Sequence, residues 1–188
     1  MTVDNDAAPI GPEAVLHFWF EETPERLWFA KDDAFDARLH ERFGALHAQA
    51  ARCELWHWRA SARGRLAEII VLDQFSRNLL RGQPQAFASD PLALALAQEL
   101  VAQGLDARLV PRERAFAYMP YMHSESLVVQ QQSLRLFEAL GQPGNLDFAR
   151  RHEVIVARFG RYPHRNAALG RISSAEEQAF LQQPGSGF

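Results

Sequence analysis

Three stretches of the chain carry side chains whose types and spacing suit acid–base or anion chemistry. The first is Leu72-Asp73-Gln74-Phe75-Ser76-Arg77-Asn78-Leu79-Leu80-Arg81-Gly82. On a helix, Leu66, Ile69, Ile70, Asp73 and Arg77 fall on one stripe, so two charges extend an apolar face. Asp73 stands four residues before Arg77, the favourable order for a helical ion pair. A charge held away from water is costly unless it is paired, so these two imply pairing or a ligand. Either a buried pair fixes the helix end or a binding site lies here, since both leave the same signature.

The second stretch is Phe159-Gly160-Arg161-Tyr162-Pro163-His164-Arg165-Asn166-Ala167-Ala168-Leu169-Gly170-Arg171. Arg165-Asn166 precedes Gly170 with the spacing by which Arg77-Asn78 precedes Gly82, and an aromatic lies just upstream of each (Tyr162, Phe75). One explanation is that both segments follow a helix C-terminus, where arginine satisfies orphan carbonyls and glycine lets the chain turn. The other is that the two Arg-Asn pairs converge on one anionic group, because a guanidinium fork matches a carboxylate or phosphate.

The third stretch is Met119-Pro120-Tyr121-Met122-His123-Ser124-Glu125, at a proline-interrupted helix junction. His123 and Glu125 suit an acid–base pair or two metal ligands, with His164 or His152 as a further partner. An H-x-E triplet supplies too few ligands for zinc or iron, so neither a metal nor another cofactor is assigned. His152 itself, on an apolar helical face, reads as a core histidine. The candidate catalytic residues are therefore His123, Glu125 and His164. The candidate ligand-binding residues are Asp73, Arg77, Asn78, Arg81, Arg161, Arg165 and Asn166. Phosphate-loop, dinucleotide-fold, zincin and nucleophile-elbow signatures are absent.

The elements that must position these groups read as helices throughout. Gly11-Pro12-Glu13 opens the first, with Val15, Leu16, Trp19 and Phe20 on its apolar side. Asp32 caps a second, whose face is Phe35, Leu39, Phe43, Leu46 and Ala50. Leu55-Trp56-His57-Trp58 is an aromatic connector expected in the core. Ser61 caps a helix over 62–76 that is apolar all round at Ile69-Ile70-Val71-Leu72, hence central and buried. Ser89-Asp90-Pro91 reads as a cap before an Ala/Leu-rich helix ending at Gly104. Pro111 starts a short helix that Pro120 must stop or kink. Another runs over 124–140, and Asn145 caps one with Phe148, His152, Ile155 and Phe159 on its face. Ser173 to Glu176 has capping-box spacing before a last helix through Leu181. No stretch alternates as a strand does. The expectation is an all-α fold of antiparallel helix pairs, a compact tetratricopeptide-like superhelix or an irregular bundle. Its extent would be a flexible leader at 1–10, one domain at 11–182 and a flexible tail at 183–188.

Among 188 residues there are 20 basic and 23 acidic side chains, a formal charge of −3, which disfavours a nucleic-acid backbone as partner. Lys31 is the only lysine, so the cations are arginines, suited to bidentate capture of carboxylate or phosphate. A lone Cys53 offers no disulfide, no apolar run approaches a membrane span, and Met1–Ala8 lacks the order of a signal peptide. The reading is cytoplasmic, with no membrane partner.

Those segments, with Val15-Leu16-His17-Phe18-Trp19-Phe20 and Arg42-Phe43-Gly44, give the chain a resemblance to the bacterial domain-of-unknown-function family 924. Its members usually have proline where this chain has Ser76, a substitution expected to loosen the turn after the central helix. The resemblance implies an all-α, tetratricopeptide-like fold and no particular activity. The residues themselves point to a small anionic ligand in an Arg/Asn/His-lined cleft, with hydrolysis or group transfer as the suited chemistry. The alternatives are a module that clamps an acidic peptide, and polar motifs that only knit helix ends together.

Overall fold

The computed structural model describes residues 10–187, so all but Ile10 of the expected leader lies outside the described residues. Helix α1 (Pro12–His17) begins with proline, whose missing N–H costs nothing in a first turn. It runs on into a π-helical turn, Phe18–Glu22. Helix α2 (Asp33–Ala51) is capped by Asp32, which accepts from the Phe35 N–H at 2.8 Å, and it buries the five apolar residues its spacing named. Helix α3 (Ala62–Ile70), a π-helical turn (Val71–Phe75) and α4 (Ser76–Leu79) form one helical rod, capped by Ser61. Every residue from Leu66 to Ser76 is buried, as expected of the central helix.

The remaining helices are α5 (Asp90–Ala102), α6 (Pro111–Met122), α7 (Leu127–Leu140), α8 (Pro143–Phe159) and α9 (Ala175–Leu181). Helix α3 packs on α1, α5 and α6, while α7 lies against both α6 and α8. Connections as short as Gly141-Gln142 force neighbouring helices to double back. One apolar cluster extends from Val15 to Ala149, and a smaller one joins Ile155, Val156 and Tyr162 to Phe159 and Phe180. There is no strand among the described residues; the architecture is a compact all-α bundle. No helix among them is long and apolar enough to cross a membrane.

Several local expectations are corrected. Helix α6 does not stop at Pro120 but continues two residues to Met122, the proline leaving the Phe116 carbonyl without its helical donor. Helix α8 starts at Pro143, not after Asn145, since proline is preorganised for a first helical position; the Asn145 amide bonds Gln142 instead. Its buried face is Ala149, His152, Ile155 and Val156, leaving Phe148 half exposed and Phe159 partly covered. Helix α7 begins at Leu127 rather than at 124. The capping box is Ser174 with Glu177, one residue later than read, because Ser173 is engaged by Asn166. Trp56 is exposed, whereas Leu55 and Trp58 enter the core. In the expected tail, Ser186 Oγ donates to the Leu181 carbonyl at 3.1 Å. Ile10, assigned to the leader, packs on the core.

Candidate functional site

The π-helical turn brings the first motif into place. Wider than an α turn, it accommodates one extra residue in the central rod and so re-aims the side chains beyond it. Asp73, inside that turn, is 1% exposed. Its carboxylate takes Arg77 at 3.0 Å, the i,i+4 pair the spacing called for, and the Gln74 amide at 2.5 Å. Across the interface, Nδ1 of His123, one residue past the end of α6, lies 2.7 Å from Asp73 Oδ1. Burial would raise the Asp73 carboxyl, but Arg77 and the His123 and Gln74 hydrogen bonds hold it well below the usual range. An ionised carboxylate only accepts, so His123 Nδ1 carries the proton and donates. Burial beside Arg77 pushes the His123 imidazole down, so it is neutral and Nε2 keeps its lone pair. None of the described residues hydrogen-bonds that nitrogen.

Arg77 and Arg165, the arginines of the two echoing segments, do converge on an anion, and the anion is the protein's own. Arg77 reaches the Asp90 oxygens at 3.0 and 3.1 Å, and Arg165 reaches Asp90 Oδ2 at 3.2 Å. Both guanidiniums lie over the Phe87 ring, 5.8 and 4.7 Å from its centre, and Arg165 is backed by Tyr162 at 4.5 Å. Helix termination is served at the same time. Arg77 donates to the Asp73 carbonyl, and Arg165 donates to the His123 carbonyl at the end of α6. The Tyr162 hydroxyl and the Gln130 amide take the Met122 carbonyl beside it. Gly82 and Gly170 both have left-handed φ, 76° and 64°, which a β-carbon would strain.

The asparagines do not follow their arginines. Asn78 and Arg81 both hold Asp36 of α2, and Asn166 bonds Ser173. Arg161 makes a bidentate pair with Glu177 of α9. Glu125 is not paired with His123 either: Arg171 holds it through two 2.8 Å contacts, and it accepts from the Tyr162 N–H. His164 lies 5.5 Å, ring to ring, from Tyr162, and burial next to Arg165 pushes it down to about 4. His152, centred 6.1 Å from His123, donates through Nδ1 to the Phe148 carbonyl, and burial pushes it down to about 3.

A cavity of about 340 Å3 opens on this corner. Its polar lining is Asp90, His123, Ser124, Glu125, Arg165 and Arg171, and its apolar walls include Phe87, Leu94, Pro120 and Leu169. Of the ten residues proposed from sequence, Asp73, Arg77, His123, Glu125, His164 and Arg165 gather here, while Asn78, Arg81, Arg161 and Asn166 support helix ends elsewhere. Asp90, Phe87 and Arg171 were missed. Asp90 reads as a helix-start residue before proline, and its spacing gives no hint that its carboxylate turns away to two arginines.

The chain matches, over residues 15–185, the family described as bacterial protein of unknown function, DUF924. It belongs to that family. A solved structure similar to this DUF924 chain, a protein of unknown function (ATU0120) from Agrobacterium tumefaciens, is 40% identical, with a TM-score of 0.86 over 91% of this chain and 96% of that one. No curated protein matches the chain. In this DUF924 chain, Ser76 keeps the rod continuous. Its hydroxyl donates to the Leu72 carbonyl at 2.6 Å and accepts from His47 Nε2 at 2.7 Å, so the expected loosening does not occur.

Proposed function

We propose that the cavity binds a small anionic metabolite and that His123, oriented by Asp73, accepts a proton there, in a hydrolytic or group-transfer reaction. The observation that carries this reading is the buried Asp73–His123 hydrogen bond with Nε2 left unbonded on a ring that lines the cavity. A carboxylate on Nδ1 fixes the tautomer and stabilises the imidazolium formed when Nε2 takes a proton from water or a hydroxyl. Arg165 and Arg171 are the cations at the cavity wall, suited to an anionic substituent, and the apolar walls accept a short carbon skeleton. The volume lies at the small-molecule end of binding pockets, which favours a metabolite over an extended acidic peptide. Glu125 and His164 act as supports in this reading, Glu125 by holding Arg171 at the rim.

A thermal-shift panel of carboxylated and phosphorylated metabolites, followed by ring-nitrogen NMR of His123, tests the reading. An anionic hit that moves the Nε2 resonance, and loses that effect in His123→Asn, is expected. A panel with no hit, or hits that leave Nε2 untouched, rejects it.

A further inference from the structure

We infer that the Arg77–Arg165 pair is a carboxylate cradle in which Asp90 sits as an internal stand-in, and that a ligand's carboxylate enters by exchanging with the Asp90 side chain. This rests on the cavity being an anion site, and it adds both the class of anion and a means of restraint.

Both Asp90 oxygens are taken up by guanidinium groups from two separate segments, α4 and the 163–165 turn. The Phe87 ring packs against both guanidiniums, 5.8 and 4.7 Å from its centre, and backs the cradle with an apolar surface. Asp90 itself is a short side chain on the first residue of α5, lines the cavity and remains 17% exposed. It can therefore swing toward solvent without disturbing the helix, whose N-terminal dipole favours a carboxylate in either position.

Arg165 supplies the independent sign of a missing partner. It is 6% exposed and lines the cavity, yet its buried Nε–H has no acceptor among the described residues. Asp90 approaches from the other edge of the guanidinium and cannot use that donor. A buried donor left unmade is unusual, and a second carboxylate orientation would satisfy it. Charge balance favours the same class. Arg77 and Arg165 are matched by Asp73 and Asp90, so a monoanion that replaces Asp90 preserves neutrality, whereas a phosphate dianion adds a charge to a buried corner.

The test compares the wild-type chain with Asp90→Asn, titrated with sodium acetate, phosphate or chloride at constant ionic strength. Acetate at about 100 times its Kd should raise the melting temperature of Asp90→Asn by ~5–10 °C. The wild type should bind it at least about tenfold more weakly, and the Arg165 Nε–H resonance should shift with acetate. Adding Arg165→Gln should abolish the response. Absence of an acetate response in Asp90→Asn, equal responses in both proteins, or phosphate outperforming acetate would each overturn the inference. If Asp90→Asn does not fold by itself, rescue by acetate and not by chloride or phosphate supports the inference, and rescue by chloride, or failure of acetate to rescue, refutes it. The acetate signal does not involve His123, so failure of the proton-acceptor reading would leave this result standing, and the converse holds too.

Discussion

Replacing His152 with glutamine and measuring stability from about pH 7 to pH 5 isolates what the protein spends on keeping an imidazole uncharged in its interior. His152 is 5% exposed; burial first, and then the nearby His123, push its titration down to about 3. The unfolded chain protonates the same ring near 6.5. Between those values the native state binds fewer protons than the unfolded state, so stability is complete above about pH 6.5 and declines as pH falls. At about 1.4 kcal/mol per pH unit, His152 accounts for a loss of ~2 kcal/mol by pH 5. His164, held at about 4, is partly exposed, so its share is discounted for solvent screening to ~1 kcal/mol. Together they should lower the melting temperature by ~6–12 °C. The carboxylates that are pulled down, Asp73, Glu125, Glu13, Glu22, Glu54 and Glu177, contribute in a lower window, because their unfolded values lie at or below about 4.5. His47 and His123 contribute equally to both proteins. Glutamine can still donate to the Phe148 carbonyl, so the stability gap between variant and wild type should shift by ~2 kcal/mol in favour of the variant between pH 7 and pH 5 in urea titrations. Parallel stability curves would refute the reasoning.

Packing and pairing set three further outcomes. Asp73→Asn leaves Arg77 with Asp90 but weakens both buried contacts of the lost carboxylate, and should cost ~3 kcal/mol in urea denaturation. Gly64→Ala would put a β-carbon 2.0 Å from the Trp58 carbonyl oxygen, a backbone atom that cannot move aside cheaply, so a loss above ~3 kcal/mol or no soluble protein is expected. Trp56→Ser, at a side chain 67% exposed, should change stability by less than ~0.5 kcal/mol in the same assay, against the tenor of its aromatic neighbourhood.

The helices were legible wherever spacing and a cap coincided. Asp32 with Phe35 to Ala50, and Ser61 with the wholly apolar Ile69–Leu72, are local patterns that the core then used unchanged. Errors came where two residues compete for one role, as Pro143 and Asn145 do for the start of α8, or Ser173 and Ser174 for the last cap. The site was half legible. The Asp73–Arg77 spacing encodes its own contact, and the doubled Arg-Asn segments encode two left-handed turns. What they grip is decided by tertiary placement: Asp90 lies 13 residues from Arg77 and 75 from Arg165. No period in the sequence links them. Glu125 illustrates the same limit, since two residues from His123 it nonetheless faces Arg171.

The π-helical turn at Val71–Phe75 has a consequence for chain length. An α-helix advances about 100° per residue, so deleting one residue there would leave the phase unchanged, whereas closing the turn into regular α-helix with every residue kept would rotate everything downstream by that angle. The stripe from Leu66 to Ile70 would stay seated, while Arg77 would turn from Asp90 and Asn78 and Arg81 from Asp36 in a single step. A residue lost from the α-helical parts of the rod would turn the motif away from its partners, whereas one lost from the π turn would not. The site is thus written partly as a count of residues, a frame that no substitution at Asp73, Arg77 or Asn78 would reveal.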